Sequence, residues 1–401
     1  MRRTSAIPLL SVGHASVDVY QGIVAALVPY FVAERAYGYA TVSGLVLAAS
    51  LLSSVAQPVF GALTDRFAMP WLLPASTLLS GAGAALSGLA GSYRLTLVFM
   101  AVCGVGVAAY HPESARVARL ASDGSHRAMS WFSVGGNIGF AAAPLVVAAV
   151  VGTGGLRRTP LLLLPALLGA AVCLPVLRGL RRTGTAATAA ARSGTDDVPS
   201  FLRLSCAVVC RSIVFTGLAT FLSLYAHQRV PDVPAAGTAA LFVLYLGGAF
   251  GSVLGGTLAQ RFDRVRVSQW SYLVTVAAVA GVVFVPGPAF FAFVALTSAG
   301  LYIPFSLQVT LGQDYLPSRV GTASGITLGL TVSIGGLASP VIGRVADVTS
   351  LRTALAPLVV LPALAWLLFR TLPEPALPLT SPGAEVPSAA STAAASPPRA
   401  A

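Results

Sequence analysis

The stretch "GALTDRF" at residues 61–67 returns as "GTLAQRF" at 256–262, and this recurrence decides the fold. The copies lie 195 residues apart. "YHPES" at 110–114 returns as "YIPFS" at 302–306 with an offset of 192, and "YFVAER" at 30–35 aligns with "LYAHQR" at 224–229 with an offset of 194. Separate motifs that share one spacing mark a duplicated unit, so the chain is read as two related halves.

Composition says what the halves are made of. The 401 residues are 56% hydrophobic and 9% charged, with a mean hydropathy of +0.81, where soluble domains carry about 25% charged residues. This is an integral membrane protein. A helix needs about 20 apolar residues to cross a bilayer. That rule predicts twelve spans, near 7–32, 41–63, 71–91, 95–120, 128–151, 160–179, 201–227, 236–260, 268–285, 289–312, 320–345 and 353–372. The expected fold class is an all-α membrane protein with twelve transmembrane helices in two pseudo-symmetric six-helix bundles. Residues 1–180 form the first bundle, 181–200 a polar cytoplasmic linker, 201–372 the second bundle, and 373–401 a Pro-, Ala- and Ser-rich disordered tail. Two such halves around a midplane site are the architecture of a secondary transporter.

The net charge of +12 comes from arginine alone, since the chain has no lysine, and the arginines do not gather into a nucleic-acid stripe. With both termini cytoplasmic, 17 of the 25 arginines fall on the inner side and seven on the outer, which sets the orientation in the plasma membrane. Cys103, Cys173, Cys206 and Cys210 lie within apolar runs without zinc or redox spacing and are read as small buried apolar residues. The N-terminal apolar stretch is too long for a cleaved signal. The chain contains no P-loop or G-x-S-x-G element, and "GGNIG" lies inside a span, so neither an ATPase nor another enzyme is expected and no cofactor is implied.

Ionisable groups inside a span are costly and need a wet cavity or a partner. In span one His14, Asp18 and Gln21 share a helical face. Asp18 lies about 16 Å along the helix, at midplane depth, and is read as a proton carrier with His14 beside it. In span four His111 and Glu113 flank Pro112 and join the proton-coupling set, with Arg116 placed to neutralise Glu113 from one turn away. An anionic solute competing for Arg116 would couple substrate to proton; the plainer reading is a structural ion pair. Arg211 in span seven maps by the offset of 194 onto Val17, next to Asp18. Its planar fork of donors suits a phosphonate-like anion, and a permanent Asp18–Arg211 salt bridge is the alternative. Gln21, Asn137, Tyr302 and Gln308 complete the expected substrate-binding set, while Gly135, Gly136 and Gly139 allow close helix packing. A membrane-embedded metal enzyme would need His14, Asp18, His111 and Glu113 to converge on one ion.

"GHASVD" (13–18), "QPVFGALTDRFAMPW" (57–71), "YHPESARVARLAS" (110–122), "VGGNIG" (134–139) and "LGQDYLPSRVGTASG" (311–325) together resemble the fosmidomycin-resistance branch of the major facilitator superfamily. The resemblance implies the major facilitator fold and a monomeric, proton-coupled exporter of a small anionic drug such as fosmidomycin, driven by the proton gradient. The alternative is transport of an endogenous small anion, a sugar phosphate or organic acid. It also implies that Gly61, Asp65 and Arg66 form the gating motif of the inner loop, with Asp314 and Arg319 as the counterpart at the turn between spans ten and eleven. The chain departs from the pattern at Gln260, where the second copy lacks its acidic residue, and at "FAMP", which replaces a glycine and a basic pair.

Overall fold

The computed structural model describes residues 6–122, 126–180 and 195–375. The expected tail from 376 onwards and the linker from 181 to 194 lie outside the described residues. All regular structure among the described residues is helical: α1 (Ala6–Ala26), α2 (Val28–Arg35), α3 (Tyr39–Arg66), α4 (Leu72–Ser87), α5 (Tyr93–Ser122), α6 (His126–Val150), α7 (Leu163–Leu180), α8 (Val198–Arg229), α9 (Ala236–Leu258), α10 (Arg264–Phe284), α11 (Ala289–Tyr315), α12 (Val320–Val348), α13 (Leu351–Leu355) and α14 (Val360–Phe369).

These helices lie on the twelve expected spans. Nine stretches of described residues are long and apolar enough to cross a bilayer, and a tenth forms if α1 and α2 are joined across their 42° bend. Pro29 sits in the first turn of α2 and has no N–H to continue the ladder, which accounts for the break at Leu27. The third and eleventh spans fall on α4, with 16 residues, and on α12, with 29. Several helices outrun their apolar cores. For example, α8 begins at Val198 because Asp197 caps it, accepting from Ser200 N at 3.1 Å, and the Ser200 side chain together with that backbone hydrogen bond holds the Asp197 carboxyl below its ordinary range.

The packing repeats as the motifs do. In the first half α3 and α4 pack on α5, α1 packs on α6, and α1 and α4 pack on α7. In the second half α9 and α10 pack on α11, α8 on α12, and α8 and α10 on α14. The halves meet where α3 lies against α12 and α6 against α9. Glycine permits the closest approaches: a Cβ on Gly139 would stand 2.0 Å from the carbonyl oxygen of Ala15. The span-five glycines therefore seat α6 against α1, as expected from their spacing. Gly139→Val should cost about 3 kcal/mol by forcing these backbones apart. An unchanged thermal unfolding midpoint of the purified variant would contradict this.

Two polar contacts fasten the ends of the bundle. Asp347, in the last turn of α12, accepts from the backbone N–H groups of Tyr39 at 2.7 Å and Ala40 at 3.0 Å, capping α3 of the other half. On the expected count of twelve passes, this contact lies at the face opposite the two ends of the described chain. At the other face, Glu374 accepts from Arg264 Nε at 2.7 Å and from Val265 N at 2.8 Å, tying the residues after α14 to the start of α10. The cysteine expectation holds for Cys103 and Cys173, which are buried, whereas Cys210 is half-buried and Cys206 exposed.

Candidate functional site

Helix α1 presents His14 and Asp18 one turn apart, both buried. Opposite them on α6 is Gly136, where a Cβ would stand 2.5 Å from Asp18 Oδ2 and 2.6 Å from the His14 ring. Only a residue without a side chain leaves room for the pair. Helix α5 brings His111 from a third direction. His14 Nε2 lies 3.2 Å from Asp18 Oδ2, and His111 Nε2 lies 3.1 Å from Asp18 Oδ1.

The other ring nitrogens settle how protons are arranged. His14 Nδ1 is 2.9 Å from the carbonyl oxygen of Phe132, and His111 Nδ1 is 2.8 Å from that of Val107. A carbonyl only accepts, so both Nδ1 atoms carry hydrogen and both Nε2 atoms face the carboxylate. For each Nε2···O contact to become a hydrogen bond it needs one proton, on the ring or on the acid. The fully bonded triad therefore holds two protons and one net positive charge. His14 is walled in by Phe132, stacked at 4.3 Å between ring centroids. Asp18 and His111 line a cavity of about 420 Å³.

Arg211 lines the same cavity from α8 of the other half. It is only 2% exposed. Its guanidinium carbon lies 4.8 Å from the centroid of the Phe305 ring, and Nη1 reaches the Leu301 carbonyl at 3.4 Å. The permanent Asp18–Arg211 bridge is not formed: the ion-pair contacts of Asp18 go to His14 and His111. Aromatic rings form much of the remaining wall, with Phe140 stacked on Tyr245 at 4.1 Å across the two halves and Phe215 edge-on to Tyr302 at 5.4 Å.

Of the residues singled out from sequence, Asp18, His111, Gln21, Asn137, Arg211 and Tyr302 share this cavity. His14 stands behind Asp18. Glu113 and Arg116 are not among the lining residues: Glu113 is fully buried and bound by Arg116 through both oxygens, Nε donating to Oε2 at 2.9 Å. Gln308 also lies off the cavity, its amide donating to Tyr272 Oη at 2.6 Å. At the loop positions, Gly61 has open space where a Cβ would stand, Arg66 is exposed, and the Asp65 side chain lies outside the described part of the structure. Asp314 and Arg319 bond elsewhere than to each other: Asp314 accepts from Arg264 Nη1 at 2.6 Å, and Arg319 lies 3.7 Å from Asp196.

The cavity also holds residues that sequence reading passed over. Ser50, Ser53 and Gln57 of α3 line it, and their spacing of three and four residues is a polar stripe visible in an otherwise apolar span. As for metals, His14, Asp18 and His111 offer three ligand atoms within 4.8 Å of one another. Glu113, the fourth ligand of the metal reading, is held by Arg116.

Comparison with known proteins agrees with this architecture. The family model described as Major Facilitator Superfamily matches residues 10–340. The fosmidomycin resistance protein of Escherichia coli (strain K12) is 28% identical over 362 residues, covering 86% of each chain. An uncharacterized MFS-type transporter of Bacillus subtilis (strain 168), YfnC, is 29% identical over 374 residues, covering 90% of this chain and 91% of its own. Among solved structures, a bacterial homolog of the human lysosomal transporter Spinster, in its inward-facing and occupied conformation, aligns with a TM-score of 0.75 at 16% identity, covering 92% of this chain and 96% of that one.

Proposed function

We propose that this chain, which belongs to the Major Facilitator Superfamily, exports a small anion across the plasma membrane in exchange for protons, with both termini in the cytoplasm and the monomer as the working unit. One observation carries the reading: Asp18 and His111, with His14 behind them, and Arg211 line one cavity from opposite halves. A proton carrier and an anion receptor then face the same space. Fosmidomycin is the first solute to test, given the likeness to the resistance protein.

Exchange arises from competition at the Asp18–His111 edge. When a proton leaves the triad, one Nε2···O contact lacks its hydrogen, and a donor group of the solute takes its place. Solute and proton then occupy the edge in turn, as antiport requires. Arg211 holds the anionic end by parallel N–H···O bonds, strengthened by the dry surroundings. The contact of Asp347 with α3 joins the halves at the face opposite the termini, which favours loading of the cavity from the cytoplasmic side. Rocking of the halves about α3–α12 and α6–α9 then turns it outward.

A second reading, co-transport of an endogenous small anion such as a sugar phosphate or an organic acid, draws on the charge of the triad. Fully protonated it bears one positive charge, which attracts an anion and couples the two in the same direction. Reconstituted vesicles with an imposed pH gradient separate the cases. Antiport accumulates solute on the acidic side and co-transport on the alkaline side. In a drug-sensitive host, expression should raise fosmidomycin tolerance, and a protonophore should abolish the gain. Failure of the vesicles to move any tested anion in either direction would sink both readings.

A further inference from the structure

The cavity is lined by three carboxamides: Gln21 from α1, Gln57 from α3 and Asn137 from α6. None of the three makes a hydrogen bond with the protein among the described residues. Gln21 is exposed, and Gln57 and Asn137 are half-buried. Two carboxamides packed elsewhere within the second half are bonded. Gln308 donates to Tyr272 Oη at 2.6 Å, and Gln269 donates to the Phe369 carbonyl at 2.9 Å. Within an apolar bundle a polar side chain normally finds such a partner, because leaving it bare costs free energy. The three open amides all line the space in which the solute is placed.

Their distribution gives the cavity two unlike walls. Gln21, Gln57 and Asn137 all belong to the first half. The second half supplies Arg211 with the aromatic faces of Phe215 and Tyr302. A guanidinium donates only, and it serves an anionic head. A carboxamide offers two N–H donors and an accepting oxygen, so it serves groups that donate and accept in turn.

Resting on the transport reading above, we propose that the carried anion bears hydroxyl or amide groups on its uncharged part, and that Gln21, Gln57 and Asn137 bind them while Arg211 holds the anionic head. The solute then spans the two halves. An anion without such groups forgoes these first-half contacts and draws the halves together less firmly.

The test uses the full-length protein in vesicles, with an alkylphosphonate and its hydroxylated counterpart of equal chain length supplied together. The unaltered protein should favour the hydroxylated anion in kcat/KM by about tenfold, the worth of one or two neutral hydrogen bonds. Gln57→Leu and Asn137→Leu should each lower that ratio to about threefold. Because both anions are measured in the same vesicles, loss of folded protein lowers both rates and leaves the ratio intact. Equal transport of the two anions by the unaltered protein, or a ratio untouched in both variants, overturns the proposal while leaving the transport reading in place. If neither anion moves under an imposed proton gradient, the transport reading fails and takes this one with it.

Discussion

Asp18→Asn should abolish uphill transport driven by a pH gradient, by about 100-fold or more, while leaving downhill solute exchange within several-fold of the unaltered protein. The reason is local. Asparagine has nearly the same shape and sits in the space that Gly136 leaves open. Its amide can donate to one Nε2, which then takes up no proton, and its neutral oxygen no longer holds a proton on the other imidazole as the carboxylate does. The site remains formed but has lost the charge that retains its protons. Counterflow and gradient-driven uptake, measured on the same vesicles, read the two quantities separately. A variant that still concentrates solute when only a pH gradient is imposed would show that the triad is not the carrier. One in which exchange also stops would assign Asp18 to solute binding or structure.

Arg211→Ala should lower kcat/KM for an anionic solute by about 100-fold, mostly through KM, since a bidentate charged contact of this kind is worth a few kcal/mol when desolvated. Arg211→Lys should fall between, near tenfold, because a lysine restores the charge but not the planar fork. The graded series matters because Arg211 also packs over Phe305. A purely structural arginine would lower the thermal unfolding midpoint of both variants without moving KM in the solubilised protein that remains folded. Radioligand binding and scanning calorimetry distinguish the two. Equal KM in all three proteins would remove Arg211 from the solute's path.

The apolar helices were legible in the sequence because hydropathy is a local property, and the duplication because motif spacing survives where identity fades. Asp18 and His14 were legible because residues four apart share a helical face. Arg211 was found through the pseudo-symmetric offset. Span four was harder to read. His111 and Glu113 are two residues apart, and at 100° per residue they cannot face the same way. Sequence placed both in the proton pathway, whereas the helix turns His111 to the cavity and Glu113 to Arg116. Gln308 went astray for the related reason that the rotation of α11 is set by its neighbours and not by its own residues. The stripe Ser50, Ser53 and Gln57 was present in the sequence as a helical spacing. The aromatic wall was not, since a phenylalanine in a span is unremarkable until its neighbours are known.

The capping of α3 by Asp347 carries a consequence for how the chain tolerates change. The carboxylate is addressed to peptide N–H groups and not to a partner side chain. Whatever residues stand at positions 39 and 40, proline aside, the amides remain, so this joint asks for an acid at 347 and, opposite it, only the room that Gly38 leaves beside the carboxylate. Halves that descend from a duplicated unit can thus drift apart in sequence on one side of this joint without losing it.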